Sequence, residues 1–326
     1  MAMPAEQPAI LPLTGPFPIG DDDIGPLNAL FSSAFTERYR RDGLVGVRVP
    51  PLNPAIWRYA IGGAGSGAML WRDGTGAIAA FNVAHASGAE GWMGPLAVRE
   101  DCQGAGQGKN IVRAGIDRLR DSGCRTIGLE TMPRTVDNVG FYSGLGFVPG
   151  YLTVTLSIDA VAASPKPGIE ILSTHSPTAR EDVIGECAGL LSTLAPGADY
   201  TREIRLTHEL ALGDTLLYRR GDGIASFALC HAAPLVEGRS REELRVLKLV
   251  AADHEAFEAL LQPLASLARR SATGRVAIRM QGEYGEAYAA AVRAGGRVRW
   301  TDLRMTLQGY PHAETARGVV LTNWEI

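Results

Sequence analysis

The chain has 326 residues, more than one compact core usually takes, and its length points to two domains. Hydrophobic residues make up 46% and charged residues 21%, and a formal net charge of −3 gives no electrostatic reason to bind nucleic acid or an anionic membrane surface. No basic stretch leads into an apolar run at the start and no apolar segment nears membrane-spanning length, so the expectation is a cytoplasmic protein without nucleic-acid or membrane partners.

The first element is a helix over 21–41, with Ile24, Leu27, Leu30, Phe31 and Phe35 on one face and a polar end from Glu37 to Arg41. Residues 69–72 and 78–86 read as two strands joined by a turn, and 94–98 as a further strand. A glycine-rich loop follows, then a helix over 108–122 that places Ile111, Val112, Ile116 and Leu119 at helical spacing and ends at Gly123. The segment 126–132 is the next strand, followed by a shorter helix and a closing strand. Cys102, Cys124, Cys187 and Cys230 lack paired spacing and read as reduced thiols, with no disulfide or metal framework.

The loop is the chemically informative stretch. Gly104, Gly106 and Gly108 alternate along it, allowing positive φ and close approach of a ligand, while the helix start beyond them aims unpaired amides at an anion. Lys109 is followed by Asn110, with no Ser or Thr, which excludes a P-loop, and the dinucleotide fingerprint G-x-G-x-x-G does not fit either.

What does fit is Gln103-x-x-Gly106-x-Gly108 after the strand Leu96-Ala97-Val98, and at the expected distance Phe141-Tyr142-Ser143-Gly144-Leu145-Gly146-Phe147. These two motifs, in this order, resemble the GNAT acyltransferase superfamily over about residues 65–158. The chain departs from the family pattern at Glu100, where relatives carry Pro, at Cys102, where an aromatic is common, and at Thr135, which stands for the usual Asn. The resemblance implies an acyl-CoA whose pantetheine lies along Leu96, Ala97 and Val98 and whose pyrophosphate rests on Gln103, Gly104, Ala105, Gly106, Gln107, Gly108 and Lys109. It also implies Tyr142 as the acid toward the departing thiolate and Glu130 as the carboxylate ordering a water that acts as base. Glu90 reads as a loop charge, and of Trp57, Trp71 and Trp92 only Trp92 lies beside the cofactor strand.

An internal repeat extends the reading to the whole chain. Met69-Leu70-Trp71-Arg72 with 78–86 matches Leu216-Leu217-Tyr218-Arg219 with 224–232, and strand, helix, strand, helix and strand follow in both halves. The expected architecture is α/β, two tandem GNAT-like domains, each a mostly antiparallel mixed sheet flanked by helices: residues 1–163 catalytic and 168–326 degenerate, joined by a Pro-rich linker at 164–168. In the second copy Ala251-Ala252-Asp253-His254-Glu255 contains no glycine, and Ala291-Val292 replace Phe141-Tyr142, so the chemistry belongs to the first half. His85 has a counterpart in His231 of the copy without the loop, which marks the shared histidine as a packing residue. The stripe Phe257, Leu260, Leu261, Leu264 and Leu267 is core, with a kink expected at Pro263, and the tail 318–325 reads as one extra strand pairing onto a sheet edge.

The functional expectation is an N-acetyltransferase that moves an acetyl group from acetyl-CoA to a primary amine of a small molecule or peptide, directly and in a ternary complex. The alternative is a non-catalytic acyl-CoA sensor or partner-binding module. A monomer or homodimer is compatible with the sequence.

Overall fold

The computed structural model describes residues 13–324 apart from 105, 165, 314 and 316. The first half runs β1 (Thr14–Pro18), α1 (Ile24–Arg41), α2 (Pro54–Ala64), β2 (Ala68–Arg72), β3 (Ile78–Ser87), β4 (Glu90–Val98), α3 (Gln107–Asp121), β5 (Thr126–Thr131), α4 (Val136–Ser143) and β6 (Phe147–Asp159). The second runs β7 (Ile169–Ile171), α5 (Pro177–Leu194), α6 (Thr201–Glu209), β8 (Gly213–Arg220), β9 (Gly223–His231), β10 (Glu243–Ala251), α7 (His254–Arg270), β11 (Arg275–Gln281), α8 (Gly285–Arg293), β12 (Arg297–Leu307) and β13 (Val319–Thr322). This is an α/β architecture in which the second half repeats the order of strands and helices of the first. No helix among the described residues is long and apolar enough to cross a membrane.

The repeat extends to strand register. Leu70 pairs with Phe81 and Leu217 with Phe227, Arg72 with Ile78 and Arg219 with Ile224, and both hairpins slip register at the residue before the arginine. Each half also contains one parallel pair, β4 with β5 and β10 with β11, ending at Met93↔Leu129 and at Val246↔Ile278. Beyond those pairs the strands diverge, and a slot opens between them in both halves.

Two features of the sheet lie beyond local periodicity. The closing strands are exchanged: β6 pairs with β11, β12 pairs with β5, and the two pair with each other, so one sheet of 13 strands runs through the whole chain. The tail strand β13 does not add to an outer edge. It pairs antiparallel with Lys248–Ala251 of β10, entering the slot of the second half.

Packing follows the apolar stripes. Ile111, Val112, Ile116 and Leu119 of α3 pack on Ile127, Leu129 and Met305, and the α7 stripe packs on Leu156, Ile158 and Ile278, with Pro263 inside the helix. The linker segment is irregular; Pro165, the first twelve residues and Glu325 at the tail lie outside the described residues.

Candidate functional site: a split strand pair and an uncapped helix

In the first half the slot is open. From Gly94 to Val98, β4 keeps β3 as partner through Asn82↔Leu96, Phe81↔Ala97 and Ala80↔Val98, but among the described residues no strand pairs with its other edge. That edge therefore presents unpaired backbone donors and acceptors to any extended molecule laid along it. His85 donates from Nε2 to the Gly94 carbonyl at 3.2 Å, at the vertex where the strands part. Burial, and then the charge of Lys248, push this histidine down to about 4, so it is neutral and fixes the vertex.

The slot leads into the glycine loop. Gly106 sits at the N-cap of α3 with φ +77°, and no side chain among the described residues caps the helix. An L side chain is disfavoured at that φ, which accounts for glycine there. The first-turn amides together with the positive end of the helix dipole form an anion site. Lys109 is exposed in the same turn and makes no ion pair among the described residues. The amide of Gln103 donates to Glu100 O at 3.1 Å and its side-chain Nε2 to Val98 O at 2.8 Å. Gln103 is thus a tether between loop and strand end, occupying the Val98 carbonyl, and the free amides begin at Gly104. Ala105 lies outside the described residues. Arg41, at the end of α1, reaches Glu100 at 2.6 Å and Gln103 Oε1 at 3.5 Å, joining α1 to the loop.

Tyr142 of α4 is buried in the cluster that contains Met93 of β4, Ile111 of α3 and Leu129 of β5. Its neighbour Phe141 packs against the first turn of α3, where a Cβ on Gly108 would meet the ring at 3.4 Å. Phe141 and Phe147 hold the Tyr142 ring edge-on at centroid distances of 5.2 and 6.0 Å. No hydrogen bond engages its hydroxyl among the described residues, and burial raises it to about 12, so the hydroxyl stays protonated and available as a donor. Thr135 begins α4 and donates to Asp42 Oδ2 at 2.5 Å, linking α4 to the end of α1.

Glu130 departs from the expectation of a water-ordering base. It is buried on β5, accepting from Arg279 at 2.6 Å, from Arg304 at 3.0 Å and from Thr153 at 2.6 Å. Burial alone would raise this carboxyl, but the two guanidiniums outweigh it and hold it at about 2. A carboxylate so stabilised is a poor proton acceptor. Both arginines come from the second half, Arg279 on β11 and Arg304 on β12, and Arg279 also pairs with Asp302 at 2.9 Å. Arg279, set between Ile278 and Met280 on β11, was the sequence signal for a buried anion. Glu90 is likewise no loop charge: it is buried and accepts from Tyr200 Oη at 2.5 Å. Trp57, Trp71 and Trp92 are all buried, and Trp92 lies over Gly128 with the Arg304 guanidinium 4.2 Å from its ring.

The second half fills its own version of the site. Asp253 caps α7, accepting from Ala256 N at 2.8 Å, and β13 occupies the slot beside β10. Register aligns Arg245 with Trp92 and Ala251 with Val98, so β13 lies beside the residues that correspond to 95–98.

The chain thus combines a repeated α/β unit, a parallel strand pair that parts at Met93↔Leu129, and a glycine N-cap at the start of α3. Residues 32–147 match the model of the acetyltransferase (GNAT) family. No curated protein matches the chain. Among solved structures, the fold is similar to a protein from Pyrococcus horikoshii proposed to be an acetyltransferase (15% identity, 94% of this chain and 93% of that one, TM-score 0.64). It is also similar to a tandem GNAT protein from the clavulanic acid biosynthesis pathway (13%, 93% and 100%, 0.59). A third such structure is Saccharomyces cerevisiae N-myristoyltransferase with bound myristoyl-CoA (10%, 93% and 80%, 0.60). At these identities the likeness is one of fold.

Proposed function

We propose that the protein transfers an acetyl group from acetyl-CoA to a primary amine of a small molecule or peptide, in a ternary complex and at one site per chain. The observation that carries this reading is the unpaired edge of β4 running into an uncapped α3 N-terminus. The edge offers strand-like hydrogen bonds to a pantetheine arm, and the amides of Gly104, Gly106, Gln107 and Gly108, with Lys109, suit a pyrophosphate. Leu96 and Ala97 supply the backbone of that edge, and Val98 ends it.

The thioester supplies an activated carbonyl and a leaving thiolate whose pKa near ~8.5 asks little of an acid. The free amine attacks the thioester carbonyl to form the C–N bond, the C–S bond breaks with the departing thiolate accepting a hydrogen bond from Tyr142, and the proton that the nitrogen sheds passes to solvent. Glu130 acts through structure, fixing β5 to the arginines of the second half. Residues 1–163 form the catalytic unit and 168–326 the supporting one, in a cytoplasmic monomer or homodimer.

The test is thiol release from acetyl-CoA over a panel of amines, followed by mass spectrometry of the acylated product. Tight acetyl-CoA binding with no release across a broad panel would replace the enzyme by an acyl-CoA sensor.

A further inference from the structure

The exchanged strand β12 brings residues of the second half to the face of the sheet that carries Glu130. On that face, between β6, β11 and β12, lies a groove of about 310 Å³ lined by Thr155, Ser157, Glu243, Arg275, Arg299 and Trp300. A bulge in β12 between Val298 and Trp300 inserts Arg299 as an extra residue, so Arg299 and Trp300 both line the groove.

The two arginines there differ. Arg275 is neutralised by Glu243 at 3.0 Å and Glu242 at 3.9 Å. Arg299 donates from Nε to the neutral Ser157 Oγ at 2.8 Å and makes no ion pair among the described residues. Trp300 is fixed beside it: Nε1 donates to Asp302 Oδ1 at 3.2 Å, Asp302 is held by Arg279, and the ring faces Tyr39 of α1 at 6.3 Å. Arg279 in turn holds Glu130, one residue past the last pair of β4 with β5. One chain of contacts thus connects the vertex of the slot to the groove wall.

We propose that this groove is the distal part of the acceptor site and that Arg299 receives an anionic group of the acceptor, a carboxylate or phosphate, while Trp300 covers its body. The inference rests on the acetyltransferase reading and narrows its acceptor class. Thr153, bonded to Glu130, and Ser157, bonded to Arg299, are four residues apart on one face of β6, a span of roughly 13 Å at strand rise. Arg299 thus lies at the far end of the groove from the Glu130 contact, which suits an acceptor longer than a single amino acid, a tri- or tetrapeptide with a free carboxyl terminus. Arg299 specifies the acceptor; it does not touch the reacting atoms.

The experiment compares tri- and tetrapeptides with free amino termini, each as the free acid and as the C-terminal amide, with an aminoalkyl phosphate of matching length as a second anion. The expected result is a kcat/KM for the acids at least tenfold above the amides in wild type, with the ratio falling toward one in Arg299→Gln and partly recovering in Arg299→Lys. A phosphate preferred over both peptide forms, and losing that preference in Arg299→Gln, assigns the anion as phosphate. Equal rates for acid and amide, or a ratio that Arg299→Gln leaves in place, overturn the proposal while leaving acetyl transfer intact. Binding of the same peptides to the CoA-loaded protein, read by tryptophan fluorescence, separates the two layers. If nothing is acetylated but acids bind tighter than amides and lose that advantage in Arg299→Gln, the anion site stands and the transferase reading falls. If neither the acids nor the phosphate bind, the anion site falls.

Discussion

Gly106 and Asp253 hold the same N-cap position in the two halves, and they do opposite things: glycine leaves the first turn of α3 open, whereas the Asp253 carboxylate accepts from Ala256 N and closes α7. An anion placed at α7 would meet that carboxylate, which the hydrogen bonds from Arg220 and the backbone keep charged by lowering its pKa. With β13 in the neighbouring slot, the chain itself fills both second-half counterparts of the proposed cofactor site. Titration with acetyl-CoA by calorimetry should therefore give one equivalent per chain, and two equivalents would refute the assignment of a closed second site.

The contrast gives a direct exchange experiment. Gly106→Asp places a carboxylate at the open N-cap, in a φ that aspartate tolerates better than a branched residue, and should weaken acetyl-CoA binding by roughly tenfold to a hundredfold through repulsion and loss of free amides. Asp253→Ala should leave that binding alone and cost about 1 kcal/mol of stability, the worth of a helix cap, seen as a lower midpoint in urea.

Much of this contrast was legible in the sequence because it is local. The glycines, their distance from Phe141 and Tyr142, and the hairpin repeat all act within a few residues of one another, and the paired registers of Leu70 with Phe81 and Leu217 with Phe227 follow from the same spacing. The exchange of β6 and β12 was not legible. Strand periodicity states which side chains face the core but not which neighbour a strand takes, so Thr306 facing Gly128 across 178 residues leaves no local mark. The surroundings of Glu130 were not legible for the same reason: a strand-end carboxylate suits a water-ordering base until Arg279 and Arg304 arrive from the other half. The extra tail strand was visible as a strand, yet its place in the slot depends on β10 and β11 diverging, which only the assembled sheet shows.

Tyr142→Phe tests the acid. Removing the hydroxyl while keeping the ring against Phe141 and Phe147 should lower kcat by about a hundredfold and leave the acetyl-CoA dissociation constant within error. Because burial raises this hydroxyl to about 12, it contributes no falling limb to the kcat profile between about pH 6 and 10. A Phe variant with wild-type turnover would remove Tyr142 from the mechanism.

Glu130 gives the last prediction, one that separates a structural carboxylate from a catalytic base. Its folded pKa of about 2 lies below the ordinary 4.5, so the unfolded chain binds the proton more readily. The stabilisation is therefore complete above about pH 4.5 and is lost as the pH falls through that value toward 2. Glu130→Ala leaves the buried Arg304, 3% exposed, without the carboxylate it pairs with and takes one of the two carboxylates from Arg279, 4% exposed, and breaking a buried pair in this way costs roughly 3 to 5 kcal/mol. Urea unfolding of wild type and variant should show that gap at pH 7 and a shrinking one at progressively lower pH. The gap also reaches the second half, because both arginines belong to β11 and β12. A single cooperative transition shifted as a whole is the expected trace. A variant with unchanged midpoint but a kcat reduced a hundredfold would instead restore Glu130 as the base.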